Sequence, residues 1–255
     1  MNLLKTNFNK NGIIKIKKLF GQQNKLRNII YNIAKDFIDI RPIKSFEDNE
    51  FHKSLLDFRK KNPKKFGEMY DRLNLNASLR SIFYQDKFMK LFAKILGINK
   101  ANLYINGFML RLDPPNDKRN SLDWHQDSPY YEMGHPKYNS GVCWVALTNN
   151  LKKNGTLIYV PKSHHDVKKA SFFKKNNNYS GQYRLKINEK KNICHLIAKS
   201  GDVSFIHMNT IHKSGENKSK KFRITLGCRF HQMNRNFNTG KEIYFYNKTN
   251  SQRLI

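Results

Sequence analysis

Residues 201–230 read GDVSFIHMNTIHKSGENKSKKFRITLGCRF, and their last nine positions alternate strictly between two kinds of side chain. Phe222, Ile224, Leu226, Cys228 and Phe230 form an apolar set, while Arg223, Thr225, Gly227 and Arg229 form the other. A period of two puts successive side chains on opposite faces, so the run is a strand with one face in a core. Arg223, on the barrel-facing side, needs an anion, and the small Thr225 and Gly227 leave that anion room. Arg229 reads as a charge at the rim.

Working outward from this strand, the chain from about residue 101 consists of short apolar or alternating runs between Pro, Asn, Asp and Gly clusters. Strands are predicted at 102–111, 123–131, 142–148, 156–160, 193–198, 203–207, 210–214 and 222–230. Eight strands suit a double-sheet jelly roll. The polar stretch 164–191 is too long for a hairpin turn and reads as a functional loop or lid.

The first hundred residues have a helical texture. Residues 8–20 read as a short strand entering a turn. At 22–38, Leu26, Ile29, Ile30, Ile33, Ala34 and Phe37 fall at helical spacing, and a second helical stretch covers 51–97, closed by Gly97 as C-cap. The expected fold is therefore mainly β with flanking helices (α+β), a double-stranded β-helix of cupin-like jelly-roll type under an N-terminal helical layer. One domain is expected over 1–255: helical support to about 100, barrel core over 101–232, and a tail over 233–255.

Among 255 residues, 48 Lys and Arg face 19 Asp and Glu, a formal net charge of +29. The lysines are spread along the chain among Asn and Ile, which reads as a solvated basic surface rather than a nucleic-acid stripe with interleaved aromatics. An anionic small-molecule substrate is compatible with it. Cys143, Cys194 and Cys228 lie far apart with no CxxC pair, which argues against a zinc knuckle or a disulfide framework and fits a reducing cytoplasm. No run is apolar enough for a signal peptide or a membrane span, so a soluble, cytoplasmic protein is expected.

The chemistry centres on Trp124-His125-Gln126-Asp127, followed 85 residues after Asp127 by His212. On a strand His125 and Asp127 share a face, so both can bind one metal ion, and His212 from a distant strand completes a facial triad. Two imidazoles and one carboxylate leave open positions, the arrangement Fe(II) needs to take a bidentate co-substrate and then O2. Arg223, eleven residues beyond His212, supplies the clamp for the distal carboxylate of 2-oxoglutarate, and Ser214 lies on the same side as His212 if that segment is extended. Two other readings stay open at this point: a nucleic-acid dealkylase with the same iron chemistry, and a cupin-like protein that only holds a metal.

The motifs MLRLDPPND, WHQD, VCWVAL, NGTLIYVPKSHH and the stretch from Gly201 to Phe230 give the sequence a resemblance to the phytanoyl-CoA dioxygenase family of Fe(II)/2-oxoglutarate oxygenases. The resemblance implies iron on His125, Asp127 and His212, and 2-oxoglutarate on Arg223. It further implies co-substrate contacts from Ser214, Trp144 and Met109, with Thr225 lining the same pocket. The implied reaction hydroxylates an unactivated C–H bond of a small molecule, such as an acyl-CoA, an amino acid, a sugar or a natural product. It is coupled to oxidation of 2-oxoglutarate to succinate and CO2, and Asp127 separates the chain from halogenating relatives, which lack this carboxylate. No role transfers to His164, His165 or His207, which are read as structural or as substrate contacts. Tyr130 and Tyr131 are expected to border the substrate opening.

Overall fold

Helices form over most of the segments whose apolar spacing predicts them, and their ends follow local chemistry. In the computed structural model, which describes residues 2–117, 121–130, 139–173, 182–188 and 192–233, they are α1 (Leu3–Asn11), α2 (Gln23–Ala34), α3 (Asn49–Lys61), α4 (Pro63–Leu75), α5 (Ala77–Arg80) and α6 (Asp86–Leu96). α1 replaces the first part of the strand expected at 8–20: Asn2 caps it, and Gly12, left-handed at φ 71°, ends it. The single helical stretch expected over 51–97 is instead broken into pieces. Asp48 caps α3, Pro63 opens α4 at the position where a missing N–H costs nothing, and Asn76 caps α5. Gly97 closes α6 in the left-handed conformation, as expected.

The strands in chain order are β1 (Ile13–Ile16), β2 (Leu103–Asp113), β3 (Ser140–Ala146), β4 (Ile158–Tyr159), β5 (Ser171–Phe173), β6 (Gln182–Arg184), β7 (Cys194–His195), β8 (Val203–His207), β9 (His212–Lys213) and β10 (Arg223–Gln232). They form a five-stranded antiparallel sheet in the order β1-β8-β3-β10-β2, a small sheet β7-β4-β9, and the pair β5-β6. The strand expected at 123–131 is reduced to a bridge between His125 and His212, followed by a 3-10 turn over Ser128–Tyr130. Pro129 has no N–H for a ladder, and the N–H groups of Asp127 and Ser128 both turn to the carbonyl of Met208. The expected loop at 164–191 contains β5 and β6 in its described part. Tyr131 and the tail beyond Met233 lie outside the described residues.

Two local devices shape the barrel. Gly155, at φ 75°, sits so close to the 215–217 backbone that a Cβ would meet Asn217 N at 2.6 Å, so only glycine lets the two turns touch. In β2, the register against β10 slips between Gly227 and Arg229, with Gly107 at φ 57° inside the resulting bulge. On the helix side of the bulge Leu103 and Ile105 are buried, and beyond it Leu110 and Leu112 are.

The helical layer covers the outer, apolar face of the large sheet. Phe92 of α6 stacks on Phe230 at 4.6 Å and meets Phe205 edge-on at 6.1 Å, and Phe66 of α4 stacks on Phe222 at 6.0 Å. His52 ties α3 to the same sheet: its Nδ1 accepts from the Phe222 N–H at 3.2 Å and its Nε2 reaches the Phe46 carbonyl at 2.8 Å. Among the described residues no helix is long and apolar enough to cross a membrane.

Burial lowers the His52 pKa from 6.5 to about 4, so the folded protein holds it neutral where an unfolded chain would already bind a proton. Its contribution to stability is complete above about pH 6.5 and falls as the pH drops towards 4. Between pH 7 and pH 5 wild-type protein is expected to lose about 2 kcal/mol more unfolding free energy than His52→Gln, read by urea titration.

Candidate metal and co-substrate site

The pair of backbone hydrogen bonds between His125 and His212, each 2.9 Å, joins two segments remote in sequence and puts their rings 4.2 Å apart. Asp127 is fixed in turn by its N–H on the Met208 carbonyl at 2.9 Å. Ligand atoms of His125, Asp127 and His212 all lie within 4.8 Å of one another, and all three residues are buried.

Each histidine uses Nδ1 on a backbone carbonyl two residues earlier, His125 on Asp123 at 2.6 Å and His212 on Thr210 at 2.8 Å. Nδ1 therefore carries the proton, and Nε2 offers a lone pair inward. His125 Nε2 is buried without a hydrogen-bond partner, 3.6 Å from Asp127 Oδ1. A buried acceptor of that kind fits a divalent cation among the three ligands. Burial, reinforced by His125, lowers the His212 pKa to about 4, which keeps its imidazole neutral. For Asp127, burial alone would favour the acid, but Arg229 and then the two histidines hold it ionised, well below the usual carboxylate range.

The inner face of the large sheet brings the other expected residues together in rows. Gly227 pairs with Met109 on one side and Trp144 on the other, and Trp144 with Ser204. Thr225, buried, pairs with Arg111 and Ala146. At the end of the face Arg223 pairs with Asp113, and its Nε and Nη2 donate to Asp113 Oδ2 at 3.2 and 2.8 Å. Asp113 Oδ1 receives Nε and Nη2 of Arg111 at 3.2 and 2.8 Å. Burial would raise the Asp113 pKa, yet Arg111 and then Arg223 outweigh it and bring the group to about 2. Arg223 thus has an anion inside the protein, which the sequence reading did not foresee, and two guanidiniums share one carboxylate.

Ser214 Oγ accepts from the Leu122 N–H at 3.1 Å, so its hydroxyl proton stays available to a ligand. Arg229 is no rim charge. Its side chain is 18% exposed, it stands 3.9 Å from Asp127 Oδ1, and it packs over Gly107, where a Cβ would be 2.6 Å from its Nη1. His164 Nε2 hydrogen-bonds with the Asn9 carbonyl at 2.8 Å, and the His207 ring is 5.1 Å from it. Tyr130, 36% exposed, stands edge-on to His125 at 6.3 Å. Arg111, Asp113 and the inward position of Arg229 were missed by sequence reasoning.

A double-stranded β-helix in which two imidazoles and a carboxylate converge inside the barrel defines a protein with a facial metal triad. The chain belongs to the phytanoyl-CoA dioxygenase (PhyH) family, whose model matches residues 8–225. Peroxisomal phytanoyl-CoA dioxygenase of Mus musculus is 31% identical over 133 residues, covering 49% of this chain and 38% of that protein. Ectoine dioxygenase of Bordetella parapertussis is 28% identical over 162 residues, covering 58% of this chain and 51% of its own length. The matched chain thus spans about half or less of these curated relatives. Among solved structures, EctD from S. alaskensis with bound Fe superposes with a TM-score of 0.56 at 18% identity, over 89% of this chain and 75% of that one. EvdO2 from Micromonospora carbonacea var. aurantiaca complexed with 2-oxoglutarate gives a TM-score of 0.59 at 14% identity, over 89% of each chain. At these identities the likeness is one of fold.

Removing one triad ligand is expected to abolish tight metal binding. Anaerobic calorimetry with Fe(II) should give a dissociation constant more than about 100-fold weaker in His212→Ala, given that even the outer partners of metal ligands are worth ~10–100-fold. An unchanged far-ultraviolet spectrum would show that the variant is folded.

Proposed function

We propose that the protein is a non-haem Fe(II)/2-oxoglutarate-dependent dioxygenase that hydroxylates an unactivated C–H bond of a small organic molecule. The observation that carries this reading is the buried cluster of His125, Asp127 and His212, with the inward Nε2 of His125 making no hydrogen bond. Two neutral imidazoles and one carboxylate are the donor set of non-haem Fe(II) oxygenases. Family membership supports it, as do the dioxygenase names of the relatives and the iron and 2-oxoglutarate in the titles of the fold neighbours.

When bound, iron supplies the activation of O2 that couples substrate oxidation to conversion of 2-oxoglutarate into succinate and CO2. The residues of the chain do the rest. Arg223 binds the distal carboxylate of the co-substrate, Gly227 keeps its lane clear, and Met109, Trp144 and Thr225 wall it. Ser214 donates its hydroxyl to the same co-substrate. Burial of the triad excludes bulk water and holds the reacting groups in place. The primary substrate enters beside Tyr130.

Arg223→Ala is expected to weaken 2-oxoglutarate binding by at least about tenfold, the worth of a charge-assisted contact, while iron affinity stays within about twofold. The readout is the weak visible charge-transfer band formed anaerobically with Fe(II) and 2-oxoglutarate. Wild-type protein without that band and without 2-oxoglutarate binding would refute the proposed function.

A further inference from the structure

The inner face of β2 and β10 holds an acid that the proposed reaction does not use. Asp113 lies directly across the ladder from Arg223, is buried, and takes one guanidinium on each of its two oxygens. A carboxylate beside the residue meant to receive another carboxylate has two opposite readings. Either it competes with the ligand, or it aims the arginine at it.

The geometry decides between them. A guanidinium has a side edge, Nε with one Nη, and an end edge formed by its two Nη atoms. Asp113 holds Arg223 by the side edge, through Nε and Nη2. Nη1, the other member of the end edge, makes neither of these bonds and is left for a ligand. Asp113 is itself held: its other oxygen takes the Arg111 side edge at 2.8 and 3.2 Å, and its backbone carbonyl receives Asn217 Nδ2 at 3.0 Å. An arginine side chain otherwise loses several rotors when it binds a ligand, and a neighbour that freezes them beforehand reduces that loss. With two guanidiniums around it, the acid also repels an incoming anion less than a lone carboxylate would.

We propose that Asp113, backed by Arg111, is a positioning residue that holds Arg223 ready for the distal carboxylate of a 2-oxo dicarboxylate, and so favours such acids over 2-oxo monocarboxylates. This rests on the proposed function. It assigns Asp113 no contact with the co-substrate and no part in iron binding.

The test is an anaerobic titration of the Fe(II) protein with 2-oxoglutarate and, separately, with 2-oxobutyrate, which lacks the distal carboxylate, following the charge-transfer band. Asp113→Asn keeps the shape and removes the charge. It is expected to weaken 2-oxoglutarate by about tenfold, the scale of one charge-assisted hydrogen bond, with 2-oxobutyrate and iron affinities within about twofold of wild type. Unchanged or tighter 2-oxoglutarate binding overturns the inference and makes Asp113 a bystander or a competitor. Equal losses for both acids overturn it too, by exposing a general structural defect. Should Asp113→Asn fail to fold, Arg111→Gln is expected to lower the same preference for 2-oxoglutarate over 2-oxobutyrate, and an unchanged preference counts against the proposal. A wild-type protein that binds neither acid refutes the parent function instead, an outcome distinct from a variant that merely matches wild type.

Discussion

The antiparallel ladder that β10 makes with β2 and β3 is the constraint on which the rest of the structure depends. Its backbone bonds commit alternate side chains to opposite faces, and the two faces of β10 carry incompatible groups. Ile224, Leu226 and Phe230 go into the helical layer, with Phe92 stacked on Phe230, while Arg223, Thr225, Gly227 and Arg229 go into the barrel. A slip by one residue would drive two arginines into an aromatic core. An unpaired buried charge costs several kcal/mol, so the core that anchors the helices also sets the register of the site.

Inside the barrel charge is tolerated only in groups. Asp113 is balanced by Arg111 and Arg223 at one end of the face, and Asp127 stands beside Arg229 at the other. Arg223 and Arg229 lie six residues apart, about 20 Å of strand at the usual rise. The strand therefore links the Arg111–Asp113–Arg223 cluster at one end to the neighbourhood of Asp127 at the other, with Thr225 and Gly227 between them. The short opposing segments contribute less packing than position: the reciprocal bonds of His125 and His212 bring together two ligands that no local interaction would join.

Much of this was legible before folding. The alternation of Phe222–Phe230 and most of the short runs led to the barrel, because a two-residue period is a local property of the backbone. The residue types and spacing of His125 and Asp127 led to the triad, although their segment forms a bridge rather than the expected strand. Helix breaks were less visible: the apolar spacing continues through 51–97, while the interruptions depend on Pro63 and on the caps Asp48 and Asn76. The segment after His125 offered strand-like residues but no partner for a ladder.

By itself the sequence determined the strand faces within each uninterrupted run, the helical layer and the identity of the three metal-ligand candidates. Tertiary structure alone decided which face Arg111 and Asp113 occupy. Counting by two from Leu103 and Ile105 puts both on the apolar side, beneath the helices. The bulge at Gly107 shifts that count by one and turns them inward to meet Arg223. A bulge exists only relative to the strand it opposes, and here that strand, β10, begins 110 residues further along the chain than its partner Asp113. The same slip makes room over Gly107 for Arg229, which one strand read alone would leave at the rim.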